Sequence, residues 1–199
     1  MTHVIEPAPT SRAKCRGCGL AIEKQTLRFG ERQPNAFGDG EMTLWFHPLC
    51  AAYKRPEPFL EALDAAASGA AGSGPAERGT AASGAAALDD ADALRTAAKF
   101  GIEHRRVPRV DGAERAPTGR ARCRSCREAI AKDSWRIPLV FFEEYRFEPS
   151  GFIHAACARE YFGTTDIMPR VRRFNPGLSA AELDAVTAAL EDSPPTVSP

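Results

Sequence analysis

Two copies of one cysteine–histidine pattern constrain this chain more than any other feature. Residues 15–50 read C-x2-C, a gap of 28 residues, then H-x2-C, through Cys15, Cys18, His47 and Cys50. Residues 123–157 repeat the pattern with a gap of 27, through Cys123, Cys126, His154 and Cys157. All six cysteines of the chain belong to these two sets. Three thiolates and one imidazole make a closed tetrahedral zinc set, with no open coordination position, so two structural Zn2+ ions are expected rather than a catalytic one. The C-x2-C brings two sulfurs to one ion from a tight turn, and the H-x2-C closes the site from elsewhere in the chain. A thioredoxin-like redox pair needs no downstream H-x2-C and would sit in a βαβ pattern that is missing here. Disulfides would leave one cysteine per copy unpaired and require an oxidising compartment.

The repeat extends beyond the ligands. Residues 6–28 lie over residues 114–136 at a constant offset of 108 and match at 13 of 23 positions. FHPLC (46–50) then lies over IHAAC (153–157) at an offset of 107, so one residue is lost between the copies. One module is used twice. A module of roughly 50 residues is too small for a core that stands alone, and zinc binding is expected to supply much of its folding energy. Strands are expected at residues 26–30 and 43–47 in the first copy, and at 134–142 and 151–154 in the second. Helix is expected after the last cysteine. The fold class is therefore a zinc-stabilised α+β module, a short antiparallel sheet with a helix below the metal, present twice.

Between the copies, residues 65–87 are almost all Ala, Gly and Ser and read as a flexible linker, followed by a short helix at 88–100. Near the C-terminus Ser179 and Glu182 form a capping box, and Leu183, Val186 and Leu190 fall on one helical face. Beyond residue 193 the chain is Pro-rich and expected to be disordered. The expected organisation is a first finger at 1–60, a linker at 61–100, a second finger with a basic lead-in at 101–175, and a C-terminal helix and tail at 176–199.

The formal net charge is zero, but it is unevenly distributed. Residues 1–60 carry +2, 61–100 carry −3, 101–175 carry +5 and 176–199 carry −4. A neutral total therefore does not argue against nucleic acid, because an electrostatic footprint is local. Arg105, Arg106, Arg109, Arg115, Arg120, Arg122, Arg124 and Arg127 form a dense set entering the second copy. Guanidinium suits phosphate oxygens and gives sequence-independent, salt-sensitive binding. Three thiolates outweigh Zn2+ by one charge, so for Arg16 and Arg124 balancing the metal site alone is the alternative to a phosphate contact. Trp45, Phe46, Trp135 and Phe152 sit beside ligand positions and read as core. His3 and His104 read as solvated surface residues. No apolar run approaches a membrane span, and the first residues have no apolar core of a secretory signal. An intracellular location is expected, the cytoplasm or nucleoid in a bacterium and the nucleus in a eukaryote.

With GRARC at 119–123, AIAKDSWRI at 129–137 and FIHAAC at 152–157, matched by SRAKC, AIEKQTLRF and LWFHPLC in the first copy, the chain resembles the poly(ADP-ribose) polymerase-type zinc finger family. That finger also occurs in a eukaryotic DNA ligase. The resemblance covers roughly half of the chain. It implies binding to DNA nicks and ends through backbone contacts rather than base sequence. The family's arginine before the first cysteine falls on Arg12 and Arg120, and its arginine after the Lys-x-x-x turn on Arg28 and Arg136; both are phosphate-contacting positions there. Lys24 and Lys132 align with a family lysine. The family caps an exposed base stack with apolar loop residues, which here correspond to Phe37 and Met42; the second copy offers Tyr145 and Phe147 in a loop of different length and more acidic character. Nothing is long enough for an ADP-ribosyltransferase or ligase domain, so the chain is expected to be no enzyme. It is expected to bind DNA, at nicked or broken duplex, as two tethered fingers related to DNA repair. The competing expectation is a zinc-stabilised protein-interaction adaptor that docks a protein partner through its C-terminal helix.

Overall fold

The computed structural model describes residues 3–35, 38–68 and 90–192. These divide into two units, Met1–Glu103 and His104–Pro199.

In the first unit, β1 (Val4–Pro7), β2 (Leu27–Pro34) and β3 (Glu41–Phe46) form an antiparallel sheet in that order. The register pairs Glu6 with Arg28 and Phe29 with Phe46. Phe29 and Phe46 point inward and are fully buried. Gly30, the next residue of β2, is required between Val4 and Trp45: a Cβ there would lie 2.6 Å from the Trp45 ring and 2.8 Å from Val4. Helix α1 (Pro48–Lys54) follows β3 directly, and α2 (Pro56–Ala67) follows α1. Each carries proline in its first turn, where the missing N–H costs nothing. Phe59 of α2 meets Phe29 edge-on with ring centroids 5.4 Å apart, which joins helix to sheet. Helix α3 (Ala91–Glu103) buries Leu94, Ala98 and Gly101, spaced along one helical face. It packs on both α1 and α2, and Arg95 pairs with Asp64 of α2.

The expected linker is thereby relocated. Residues 61–67 and 91–100 are helical and belong to the first unit. The Ala/Gly/Ser stretch therefore falls between two helices that pack together, and the passage from one unit to the next is at Glu103–His104. Residues 69–87 of that stretch, residues 88–89 of the expected short helix, and the Pro-rich residues from 193 onward lie outside the described residues.

The second unit repeats the plan. A 3-10 turn (Val107–Arg109) leads in, and Val110 forms a bridge to Leu139. Strands β4 (Glu114–Arg115), β5 (Trp135–Glu143) and β6 (Arg146–His154) form the second antiparallel sheet. Glu144 and Tyr145 close the β5–β6 hairpin in two residues, both with positive φ (46° and 67°). This is the geometry of a mirror-image hairpin turn. Helices α4 (Ala158–Phe162), α5 (Met168–Phe174) and α6 (Ala180–Glu191) complete it. Ser179 and Glu182 form the reciprocal capping box at the start of α6. Val186 and Leu190 are buried and α6 packs against the turn Ala155–Cys157. Residues 176–192 are thus part of the second unit, as α3 is part of the first, and not a separate tail.

Candidate metal centres and nucleic-acid interface

Each metal centre is assembled from two places in the unit. Cys15 and Cys18 occupy a knuckle closed by the Gly19 N–H to the Cys15 carbonyl at 2.8 Å, with Cys15 N–H donating to Leu20 at 2.8 Å. The knuckle is fastened to the sheet by the Arg16 N–H, which donates to the Trp45 carbonyl at 2.9 Å. His47 follows the last residue of β3, and Cys50 lies in the first turn of α1. The second unit repeats this with Arg124 N–H to the Phe152 carbonyl at 2.8 Å, His154 ending β6 and Cys157 in the turn after it. The ligand atoms of each set all lie within 4.8 Å of one another.

The donor geometry fits zinc. Cys18 Sγ and Cys126 Sγ are each 3.4 Å from the Nδ1 of their histidine, and Cys157 Sγ is 3.8 Å from His154 Nδ1. A tetrahedral ion with ordinary Zn–S and Zn–N bonds requires S···N edges of about 3.5 Å. The other ring nitrogen faces a carbonyl: His47 Nε2 is 3.2 Å from the Ala21 oxygen and His154 Nε2 is 3.1 Å from that of Ala129. This places the ring proton on Nε2 and directs the Nδ1 lone pair to the metal, the usual orienting partner of a metal-bound histidine. Backbone N–H groups of His47 and His154 also point at Cys15 Sγ (3.3 Å) and Cys123 Sγ (3.4 Å). The thiol of Cys15 is held down to about 3, first by the hydrogen bond from Cys50. Burial pushes Cys18, Cys126 and Cys157 up. Sulfurs this crowded become thiolates together only around a cation, which is what Zn2+ supplies. The two Cys3His sites accordingly correspond to two structural zinc ions.

Beside each centre, two loops come together. Lys24 N–H donates to Ser11 Oγ at 2.9 Å, which places the turn bearing Lys24 against the one bearing Arg12. In the second unit the Lys132 nitrogen lies 3.8 Å from where a Cβ on Gly119 would stand, so the Arg120 and Lys132 turns meet in the same way. Arg12, Lys24, Arg120 and Lys132 are all exposed. Among the described residues their side chains have no acidic partner.

Arg28 and Arg136 are placed differently. They are only 7% and 8% exposed. Arg28 donates through Nε and Nη2 to Glu6 Oε1 at 3.2 and 2.5 Å, with its guanidinium 3.4 Å above the centre of the Trp45 ring. Arg136 does the same with Glu114 at 2.8 and 2.5 Å and lies 3.6 Å over Phe152. Glu, Arg and aromatic ring form one stack per unit, across all three strands. Reading the sequence for basic residues overlooks this stack, yet a signal existed: Glu6 and Glu114 are themselves a repeated pair.

The apolar loop residues separate likewise. Phe37 lies outside the described residues. Met42 sits half-buried in β3 opposite Gln33. Tyr145 is in the tight turn, and Phe147 packs on Phe142 with centroids 5.1 Å apart. Phe46 and Trp135 are buried, as their reading as core expects, whereas Trp45 and Phe152 are half-buried and each carries a guanidinium on its ring. His3 departs from its surface reading. Its Nδ1 accepts from the Arg32 N–H at 3.2 Å and its ring meets Phe29 edge-on.

Residues 6–98 match the family described as the poly(ADP-ribose) polymerase and DNA-ligase Zn-finger region. The chain is 32% identical over 145 residues to a poly(ADP-ribose) polymerase of Sarcophaga peregrina, covering 70% of this chain and 14% of that protein. It is 26% identical over 151 residues to a poly(ADP-ribose) polymerase of Drosophila melanogaster, covering 72% of this chain and 14% of that one. The chain thus spans about one seventh of the length of the curated relatives it matches. The matched segment in the first unit runs through α3 as far as residue 98, so the match, like the packing, takes the third helix into the finger. Among the described residues no helix is long and apolar enough to cross a membrane.

Proposed function

We propose that this chain is a zinc-dependent DNA-binding protein whose two poly(ADP-ribose) polymerase-type fingers grip phosphate backbone at nicks, ends or other breaks without reading sequence. One observation carries the reading: each unit brings the turns bearing an exposed arginine and an exposed lysine together close to its metal centre, and among the described residues neither side chain is paired with a carboxylate. Arg12 with Lys24, and Arg120 with Lys132, form two equivalent cationic pairs. Zinc holds the knuckle that the arginine turn enters, so phosphate binding depends on metal through geometry. Arg28 and Arg136 join the contact set only through Nη1, the edge that Glu6 and Glu114 leave unused. In that role they are largely preorganised by the aromatic ring beneath them. Such a protein acts where DNA is, in a nucleoid or a nucleus, and without a reaction of its own.

An adaptor would have to dock through a surface other than the apolar face of the C-terminal helix. The apolar face of the C-terminal helix is occupied by its own unit, with Val186 and Leu190 buried.

Replacing Arg12 and Arg120 by alanine tests the assignment. The double variant keeps two zinc ions per chain by metal analysis but binds a nicked duplex at least tenfold more weakly, about 1.4 kcal/mol. Loss of zinc with the substitution would make those arginines structural, and unchanged affinity would remove them from the interface.

A further inference from the structure

The second unit gathers four arginines at one place. Arg106, Arg109, Arg124 and Arg127 converge on one cavity of about 190 Å³, lined also by Phe141, Ser150 and Tyr161. Among the described residues none of these four guanidiniums pairs with a carboxylate. Tyr161 arranges two of them. Its ring lies under Arg106 at 4.8 Å, and its hydroxyl accepts from Arg109 Nη1 at 3.3 Å. Arg109 lies 4.1 Å over Phe141, which is 43% exposed.

Three features build the cavity, the last two of them departures from the internal repeat. The lead-in that carries Arg106 and Arg109 is pinned to the sheet by the Val110–Leu139 bridge and the Asp111 N–H to the Pro138 carbonyl at 3.0 Å. Opposite Leu139, Ser150 and Gly151 form a bulge in β6. Gly151 stands where the first unit has Leu44, and a Cβ there would come within 2.9 Å of Arg124 Nε. Glycine therefore admits the Arg124 side chain. Finally Arg127 holds φ of 70°, at the knuckle position where the first unit has Gly19 at φ of 73°. A non-glycine residue in the left-handed region carries a conformational cost. A glycine would remove that cost, but here the position is spent on a fourth guanidinium facing the cavity.

We infer that this cavity is a binding site for a terminal phosphate monoester. The charge balance points there: four guanidiniums without an acid suit a group of nearly two negative charges with three free oxygens. A phosphodiester within a strand offers one charge and two free oxygens. The size agrees, since the cavity is below the range of sites for drug-sized ligands and admits the end of a chain rather than a continuous duplex. Ser150 adds a hydroxyl to the lining. The inference rests on the DNA reading above and sharpens it: the second finger would distinguish phosphorylated from hydroxyl strand ends, whether the phosphate is on the 5′ or the 3′ side.

The test measures binding of the full, zinc-loaded chain to one nicked duplex prepared with 5′-phosphate, 3′-phosphate or only hydroxyls at the nick. At least one phosphorylated nick binds about tenfold tighter than the hydroxyl nick, as a few charge-assisted hydrogen bonds provide, and the preferred arm identifies the end. Arg127→Gly, which suits the backbone at that position, and Arg109→Gln each reduce this ratio toward one while zinc content is kept. Equal binding of all three nicks by the wild type, or an unchanged ratio in both variants, overturns the inference. If no DNA is bound at all, the DNA reading fails by itself, and titration with inorganic phosphate decides the cavity. Saturable binding that Arg127→Gly abolishes supports it, and no binding refutes it.

Discussion

Residue by residue, the two units form an internal comparison of what a buried charge contributes. Glu31 is 1% exposed and is bound by Arg55 through Nε at 2.8 Å and Nη2 at 2.5 Å. The repeat places Leu139 and Phe162 at the corresponding positions of the second unit, and both are buried. The positions of the ion pair are thus filled by two buried apolar residues in the second copy. Desolvation offsets much of the attraction within a buried pair, whereas removing one partner leaves the other charged and uncompensated. Replacing Glu31 by alanine should therefore destabilise the first unit by about 3 kcal/mol. The double replacement Glu31→Leu with Arg55→Phe should recover most of that loss. Denaturant melts of the zinc-loaded chain, followed at the first unit's Trp45, check both outcomes. The metal ligands are the residues most legible in the sequence, because coordination chemistry demands particular side chains at particular spacings. The stacks of Arg28 and Arg136 were less so. Their roles depend on Glu6 and Glu114 lying across a strand ladder, which residue type alone does not reveal.

At the scale of elements, α6 shows how a local signal and a long-range contact divide the work. Ser179 Oγ accepts the Glu182 N–H, and the Glu182 carboxylate accepts the Ser179 N–H at 2.8 Å. These bonds begin the helix, while Val186 and Leu190 anchor it to the zinc-bearing turn. Replacing Ser179 by alanine should lower the stability of the second unit by about 1 kcal/mol, with both zinc ions retained. The Ser179 hydroxyl is the first cause holding the Glu182 carboxyl below its ordinary value of 4.5. A carboxylate lowered by folding contributes above its unfolded pKa and loses that contribution as pH falls through the folded one. Glu182→Gln should therefore weaken this acid dependence in the pH range below 4.5, as melts of the two proteins across that range would show. The capping box and the longer strands could be read from pattern because each signal is local. β1 and β4, of four and two residues, could not. They lack room for a period, and their place is set by pairing with β2 and β5.

For the molecule as a whole, the place of the Ala/Gly/Ser stretch bears on whether the two units proposed to bind DNA are tethered by it. Composition identifies such a segment as unable to form a core, but not what its two ends touch. Because α2 and α3 pack together on either side of it, the stretch is an insertion within the first finger. Shortening it by ten residues should change loop-closure entropy by only a few tenths of a kcal/mol. Two-finger affinity for DNA should stay the same. A large change in affinity upon shortening, in the same binding assay, would restore the stretch as a tether that sets effective concentration.

The central claim is that two zinc-built fingers bind broken DNA through phosphate. Fluorescence anisotropy of the zinc-loaded chain on nicked and intact duplexes of one length, over a salt series, tests it most directly. The account predicts tighter binding to the nicked duplex, affinity falling steeply and linearly with the logarithm of salt, and loss of binding when a chelator removes zinc. Equal, salt-insensitive binding to both duplexes, or no binding to either at low salt, would contradict it.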